Sequence, residues 1–404
     1  MTVSDLFIPD RTAALERLQQ FLPHAGRDYA ARRNYDTGPG APAGVSMLSP
    51  WLRCRLITEE EVVRAVLGRH SHAAAEKFVQ EVFWRTYWKG WLELRPGVWN
   101  QYQAAVGAHW DAVQTQAGLR ARWEAACRGE TGISCFDFWA RELAETGWLH
   151  NHARMWFASI WIFTLELPWE LGADFFLRHL LDGDPASNTL GWRWVAGIQT
   201  PGKTYLARTS NISKYTEGRF HPKWQLAGVA RAIEAPAPPA AGLLPAPAAP
   251  RPGLRTGFVL HEDDLSPGFM LDGPDSIRPQ AAALLIPQTR LGPLQSAPHV
   301  AAFRRAALRD AAARWQDRMG GPPAEAESTE ALLDWAAREN LEQIIAPYAP
   351  VGPVAGTLAG ISAQKDAPAL VQIMRPTDRA AWPLATRGFF PFSKHIPALI
   401  EQMI

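Results

Sequence analysis

Residues 182–197 read DGDPASNTLGWRWVAG, a mixture of two aspartates, an asparagine and two tryptophans in one short stretch. A solvated loop has no need of the tryptophans, and an apolar core does not admit Asp182, Asp184 and Asn188 without partners. Helical spacing sets Asp184, Asn188 and Trp192 at i, i+4 and i+8, one beneath the next. A second segment, GWLHNHARM, sets Asn151 beside Arg154 and His152 beside Met155, and a third, FVQEVFWRTYW, sets Glu81 beside Trp84 and Arg85. Taken singly, each reads as a helix cap, a surface ion pair or a satisfied core network. Together, and all rich in tryptophan, they describe a polar-lined aromatic pocket suited to a planar heterocycle.

Two other patterns carry less. GIQTPGKT, Gly197–Thr204, matches the phosphate-loop pattern letter for letter. That pattern works only where a buried strand precedes the loop and a helix follows it, so that N–H groups converge on phosphate. Here NTLGWRWVA reads as a helix and YLARTSNISKY as a weak helical continuation, so no nucleotide triphosphate site is expected. His261, Glu262, Asp263 and Asp264 follow a strand-like run and are of metal-binding type, but no matching ligand spacing occurs elsewhere. A solvated loop is the expectation there, and no metal is assigned. Cys54, Cys127 and Cys135 form no CxxC pair and are odd in number, which argues against a disulfide framework and fits buried thiols.

The elements that must position the pocket divide the chain in two. Residues 235–253, APAPPAAGLLPAPAAPRPG, have the composition of an extended, semi-rigid spacer. The expected layout is a helical domain over 1–232, a Pro/Ala-rich linker over 233–255 and an α/β domain over 256–404. Fifteen of the 18 tryptophans precede the linker, which separates the two parts by composition as well. Stretches such as EKFVQEVFWRTYWKGWLEL and NHARMWFASIWIFTLEL repeat with helical period, so the first part is predicted to be all-α. In the second, GFVLHEDD, AAALLIP, LEQIIAPY and ALVQIM alternate with SAPHVAAFRRAALRDAAARWQDRM and STEALLDWAAREN, the order of βαβ units on a parallel sheet.

At 404 residues, 47% hydrophobic and 20% charged, the chain can bury two cores and reads as soluble and globular. The opening MTVSDLFIPDRT lacks the pattern of a secretory signal. The longest apolar run, Met155–Phe163, is too short to cross a bilayer. A cytoplasmic protein without membrane attachment is therefore expected. The net charge of +1, split as +3 up to Arg231 and −2 beyond, permits a polyanionic partner on the first part without requiring one.

The motifs resemble the flavin-binding domain of the photolyase/cryptochrome family, in order across most of residues 10–225. AGVSMLSPWL is similar to the family's Thr-Ser-Arg-Leu-Ser-Pro segment and EVFWR to its Glu-Leu-x-Trp-Arg helix. TGISCFDFWARELAETGWLHNHARM is similar to its Thr-Gly…Gly-Trp-x-His-Asn-Arg-x-Arg-Met stretch, and DGDPASNTLGWRW to its Asp-Gly-Asp…Asn…Gly-Trp-x-Trp signature.

The resemblance implies FAD folded into a U inside the helical bundle. Its diphosphate would lie near Ser46, Leu48 and Ser49, with Tyr29 as a further phosphate contact and Arg85 and Asn151 in the cofactor shell. Arg154 and Asp182 would pair beside the isoalloxazine, Asp184 would bond its pyrimidine edge, and Asn188 would face N5, where a neutral amide accepts from the reduced ring. Trp192 and Trp169 would be the first two members of an electron-transfer chain, with Trp110 and Trp123 both candidates for the third. Glu81, Trp84, His152, Met155 and Trp194 would meet the substrate, and Arg208, Lys214 and Arg219 the DNA backbone.

Departures bear on the same residues. Phe78 stands where dimer-repairing members have a tryptophan, and His152 where they have an arginine, which removes a cation unless the imidazole is protonated. A histidine near this position also occurs in the branch that repairs (6-4) lesions. Members ordinarily begin with an α/β antenna domain, whereas here the α/β part comes last. It is either a reordered counterpart of that domain or an unrelated module, and its antenna chromophore, if it has one, is open. The function expected is light-driven, FAD-dependent repair of pyrimidine dimers in damaged DNA. The alternatives are a blue-light sensor with a signalling partner and a flavin photoenzyme acting on a small molecule.

Overall fold

The computed structural model describes residues 6–38, 44–272 and 276–403. The first part runs through α1 (Arg11–Phe21), α2 (Arg27–Arg32), α3 (Ser49–Arg53), α4 (Glu59–Leu67) and α5 (His72–Glu93). It continues through α6 (Gly97–Thr115), α7 (Ala117–Arg128), α8 (Ser134–Thr146), α9 (Asn151–Ser159), α10 (Trp169–His179), α11 (Pro185–Val195) and α12 (Thr209–Tyr215). No strand occurs among its described residues. Helix starts are set locally: Asp10 caps α1 through Ala13 N–H, Thr58 and Glu61 close a reciprocal capping box on α4, and Asp184 caps α11 through Ser187 N–H. Helix α11 packs against α5, α6, α9 and α10, which places its polar face at the centre of the bundle.

After residues 233–255, which form neither helix nor strand, the chain builds five parallel strands: β1 (Thr256–His261), β2 (Ala281–Leu285), β3 (Ala324–Ala326), β4 (Gln343–Pro347) and β5 (Ala369–Ile373). Their order is β3-β2-β1-β4-β5. This is a doubly wound sheet whose strand order reverses between β1 and β4. Helix α13 (Pro298–Met319) lies between the sheet and the helical domain, where it meets α1. Helices α14 (Thr329–Arg338) and α15 (Pro353–Ser362) cover the other face. Period-two alternation divides the strands accordingly: Phe258, Leu260, Ala282 and Leu284 join the core shared with the helical domain, while Val259, Ala283 and Leu285 join the outer one. The all-α and parallel α/β expectations hold; the three-residue β3 is too short to show in the sequence.

Three short helices, α16 (Pro376–Ala381), α17 (Phe389–Ser393) and α18 (Ile396–Met403), do not stay with the sheet but return to the helical domain. Trp382 sits against Gly90 of α5, where a Cβ would come within 2.8 Å of the Trp382 Cα, so only glycine lets the two backbones approach. Arg64 of α4 donates to the Met403 carbonyl.

The acidic turn at the end of β1 corrects the sequence reading: it is not a solvated loop. His261, Glu262, Asp263 and Asp264 are all buried, and no cluster suited to a metal occurs among the described residues. Arg53, at the end of α3, donates to the Asp263 carboxylate at 2.9 Å and the Glu262 carbonyl at 3.0 Å. Arg55 donates to Asp264 at 3.1 Å and holds Asp378 in a two-point contact at 2.7 and 2.8 Å, while its Nε bonds Glu59. Arg375 covers the other side of Asp264. Buried charges are tolerated when paired in this way. The crevice at the strand ends, where doubly wound sheets commonly take ligands, is thus filled by the helical domain's own arginines. Cys54 and Cys135 are buried as expected, whereas Cys127 is only partly so. No helix of the described residues is long and apolar enough to cross a membrane.

Candidate functional site

A cavity of about 690 Å³ opens in the helical domain, within the range usual for ligand sites. Three helices supply most of its wall, each through one helical face. Helix α5 contributes Glu81, Trp84, Arg85 and Trp88; α9 contributes Asn151, Arg154, Met155 and Ala158; α11 contributes Asn188, Gly191, Trp192 and Val195. All three sets follow the i, i+3, i+4, i+7 stripe, so the spacing read from sequence is the spacing that points inward. Tyr29, Ser46, Ser49, Asp182, Asp184 and Trp194 complete the predicted residues on the wall.

The polar groups are mutually ordered. Arg154 grips Asp182 through two bonds, Nη1–Oδ1 at 3.0 Å and Nη2–Oδ2 at 2.8 Å, and fixes its own Nε on the Leu149 carbonyl at 2.9 Å. Asn188 donates its Nδ2 to the Ala173 carbonyl of α10 at 2.8 Å, which orients the amide and leaves its carbonyl oxygen as the acceptor end at the cavity. Asp184 spends one oxygen on its helix cap, with the other 3.5 Å from Lys89 Nζ and 3.9 Å from Arg85 Nη2. Burial alone would raise its pKa, but Lys89, Arg85 and Arg53 hold it well below the usual carboxylate range. Arg85 is itself fixed by Glu59 at 3.1 Å and the Arg53 carbonyl at 2.8 Å. Glu81 pairs with Arg33 at the rim, and burial raises its pKa despite that partner.

Trp192 is buried edge-on to Phe176 at 5.1 Å and Trp161 at 6.2 Å, and its indole Nε1–H has no partner among the described residues. Gly172 of α10 makes room for it: a Cβ there would fall 2.3 Å from the Trp192 ring. Trp169 lies behind the wall, with Tyr102 at 5.8 Å and Trp99 beyond at 5.3 Å. Trp110 and Trp123 meet each other at 5.4 Å.

Not every predicted residue reaches the wall. His152 does not line the cavity. It projects from α9 beside Trp156, stacks on that ring at 4.0 Å, and engages the Asn34 carbonyl and the Tyr205 hydroxyl with its two ring nitrogens. Burial lowers its pKa, which works against the protonated form. Leu48 is fully buried, and its backbone N–H points to Ser46 Oγ at 3.4 Å. The proposed DNA contacts Arg208, Lys214 and Arg219 are all exposed, and Arg219 is in addition tied to Asp36 at 3.0 Å and lies over Phe220. The phosphate-loop match, Gly197–Thr204, forms turns directly after α11, with no strand ahead of it.

The wall residues that sequence reasoning missed include Phe389 and Phe390, which come from α17 in the C-terminal domain. The Phe389 ring lies flat on Trp84, with centroids 3.7 Å apart and planes 10° off parallel. The signal available in the sequence was the aromatic run FFPF, whose partner lies some 300 positions away.

The cavity's donors and acceptors suit a large dinucleotide with a planar ring: backbone and hydroxyl groups at Ser46 and Ser49, an oriented amide, a held carboxylate and an unpartnered indole N–H. Comparison with known protein sequences points the same way. Residues 78–225 match the FAD binding domain of DNA photolyase. The chain is 33% identical over 203 residues to a deoxyribodipyrimidine photo-lyase of Synechococcus sp., covering 46% of this chain and 39% of that protein. It is 31% identical over 265 residues to a deoxyribodipyrimidine photo-lyase of Streptomyces griseus, covering 57% and 56%. A crystal structure of a bacterial class III photolyase from Agrobacterium tumefaciens aligns with 29% identity and a TM-score of 0.44, over 53% of this chain and 44% of that one. The matched region thus spans about two fifths to just over half of these relatives.

Proposed function

Because this chain belongs to the photolyase/cryptochrome superfamily through its helical FAD-binding domain, we propose that it carries out light-driven, FAD-dependent repair of pyrimidine dimers in DNA. The observation that supports this most is convergence. Residues that the family resemblance assigns to flavin, namely Arg154, Asp182, Asp184, Asn188 and Trp192, share one cavity with Glu81, Trp84, Met155 and Trp194, which it assigns to substrate.

FAD, when bound, supplies the light absorption and the electron that the repair of a dimer needs. The chain's residues do the rest. The Arg154–Asp182 pair would lie beside the ring, Asp184 would take its pyrimidine edge, and the carbonyl of Asn188 would accept a hydrogen bond without carrying charge. Trp192 buries the far side of the site. Glu81 stands at the rim beside Arg33, placed to hydrogen-bond an entering base. A dimer inside duplex DNA cannot reach this cavity without being flipped out, and a poorly stacked lesion costs less to extrude. Arg208 and Lys214 are exposed for phosphate contacts, which makes binding salt-dependent. The signalling alternative asks the C-terminal domain to move in response to the flavin, and the buried ion pairs of Arg53 and Arg55 oppose such movement.

The test is a comparison of light and dark samples of UV-irradiated oligothymidine incubated with the protein. Restoration of thymine absorbance under blue light alone supports repair, and Glu81→Ala should slow it. Equal light and dark traces from flavin-loaded protein would overturn the reading.

A further inference from the structure

The substrate side of the cavity has an aromatic supply that the helical domain does not provide alone. Phe78 lines the cavity but is committed inward, buried between Phe21 at 5.0 Å and Tyr29 at 5.1 Å. One face of Trp84 is taken by Phe389. The C-terminal segment that brings Phe389 is firmly seated: Tyr87 Oη donates to the Arg387 carbonyl at 2.7 Å, Arg95 Nη2 to the Thr386 carbonyl at 2.8 Å, and Phe392 packs 5.5 Å from Tyr87.

On that fixed segment Phe390 is 79% exposed, yet it lines the cavity, edge-on to Phe389 at 6.3 Å. A large aromatic held in water on a rigid wall forgoes the gain of burial. It recovers that gain when a planar group enters and covers it.

We propose that Phe390 is a substrate-contacting residue, delivered to the cavity by the C-terminal domain, which stacks on an unpaired pyrimidine entering the site. The C-terminal domain thereby completes the binding site. This inference rests on the repair reading of the cavity.

The experiment measures binding of flavin-loaded protein to a UV-irradiated oligothymidine and to the same oligonucleotide before irradiation. Phe390→Ala should weaken binding of the irradiated probe about tenfold, the effect of deleting one base-stacking ring. Phe390→Trp should restore it. FAD content and the urea midpoint of Phe390→Ala should match those of the parent, since the ring is mostly exposed. If the parent prefers irradiated DNA and Phe390→Ala binds it equally well, the inference is wrong while the repair reading stands. If Phe390→Ala loses FAD, the ring serves the cofactor and the inference is again wrong. If the parent itself shows no preference for irradiated DNA, both fall together.

Discussion

Replacing Arg55 with methionine should cost the folded protein about 3–5 kcal/mol at neutral pH, the usual result of removing one partner from a buried ionic cluster. Its guanidinium faces Glu59, Asp264 and Asp378, all almost wholly buried, and methionine keeps much of the volume while leaving Glu59 to Arg85 and Asp264 to Arg375 and taking from Asp378 its two-point partner. Titration gives a second route to the magnitude. Burial pushes the Glu59 pKa up, but Arg55 and Arg85 outweigh it and bring it from 4.5 to about 2. By linkage that depression is worth about 3 kcal/mol, with Arg55 the largest contributor ahead of Arg85, a backbone hydrogen bond and Lys89. The sign follows. A carboxylate depressed in the folded state contributes its full stability above the unfolded pKa of 4.5 and loses it as pH falls toward the folded value. Urea unfolding should therefore show the largest deficit for Arg55→Met near neutrality, narrowing to roughly half by about pH 3. A deficit below about 1 kcal/mol, the size of an exposed pair, or one that does not change with pH, would refute the buried-clamp account.

Three further outcomes follow from the site and its supports. Arg154→Ala leaves Asp182 buried without its two-point partner; because Arg154 is itself partly exposed the effect is moderated, and FAD retention on gel filtration should fall about tenfold. Undiminished flavin content would remove that pair from the cofactor site. Trp192→Phe should slow photoreduction of the bound flavin by about tenfold or more, read as loss of its visible absorbance under blue light, and an unaltered rate would exclude this indole as the electron source. Gly90→Ala forces a methyl against the Trp382 backbone, an overpacking worth about 1–3 kcal/mol, and should lower the urea midpoint and open the C-terminal helices to protease; an unchanged midpoint would mean that α5 and Trp382 do not meet as described.

What could be read beforehand depended on the range of the interaction. Asp184, Asn188 and Trp192 lie within two turns of one helix, so their common face follows from period alone. The same rule, applied to α9, fixes Asn151 and Arg154 on the wall but leaves His152 at its edge, and the choice is made by Trp156, Asn34 and Tyr205. Nothing local could pair Arg53 with Asp263 or Arg55 with Asp378, which are 210 and 323 positions apart. Seen without those arginines, the acidic turn had the look of solvent or metal. Phe389 and Phe390 were hidden for the same reason: their meaning comes from Trp84, on a helix in the other domain.

Whether the helical cavity holds a flavin dinucleotide is tested most directly by the absorption spectrum of the purified protein. The expected result is a coloured protein whose visible bands belong to flavin and which releases FAD in stoichiometric amount on denaturation. A colourless protein that also takes up no FAD when refolded with an excess of it would contradict the assignment of the cavity.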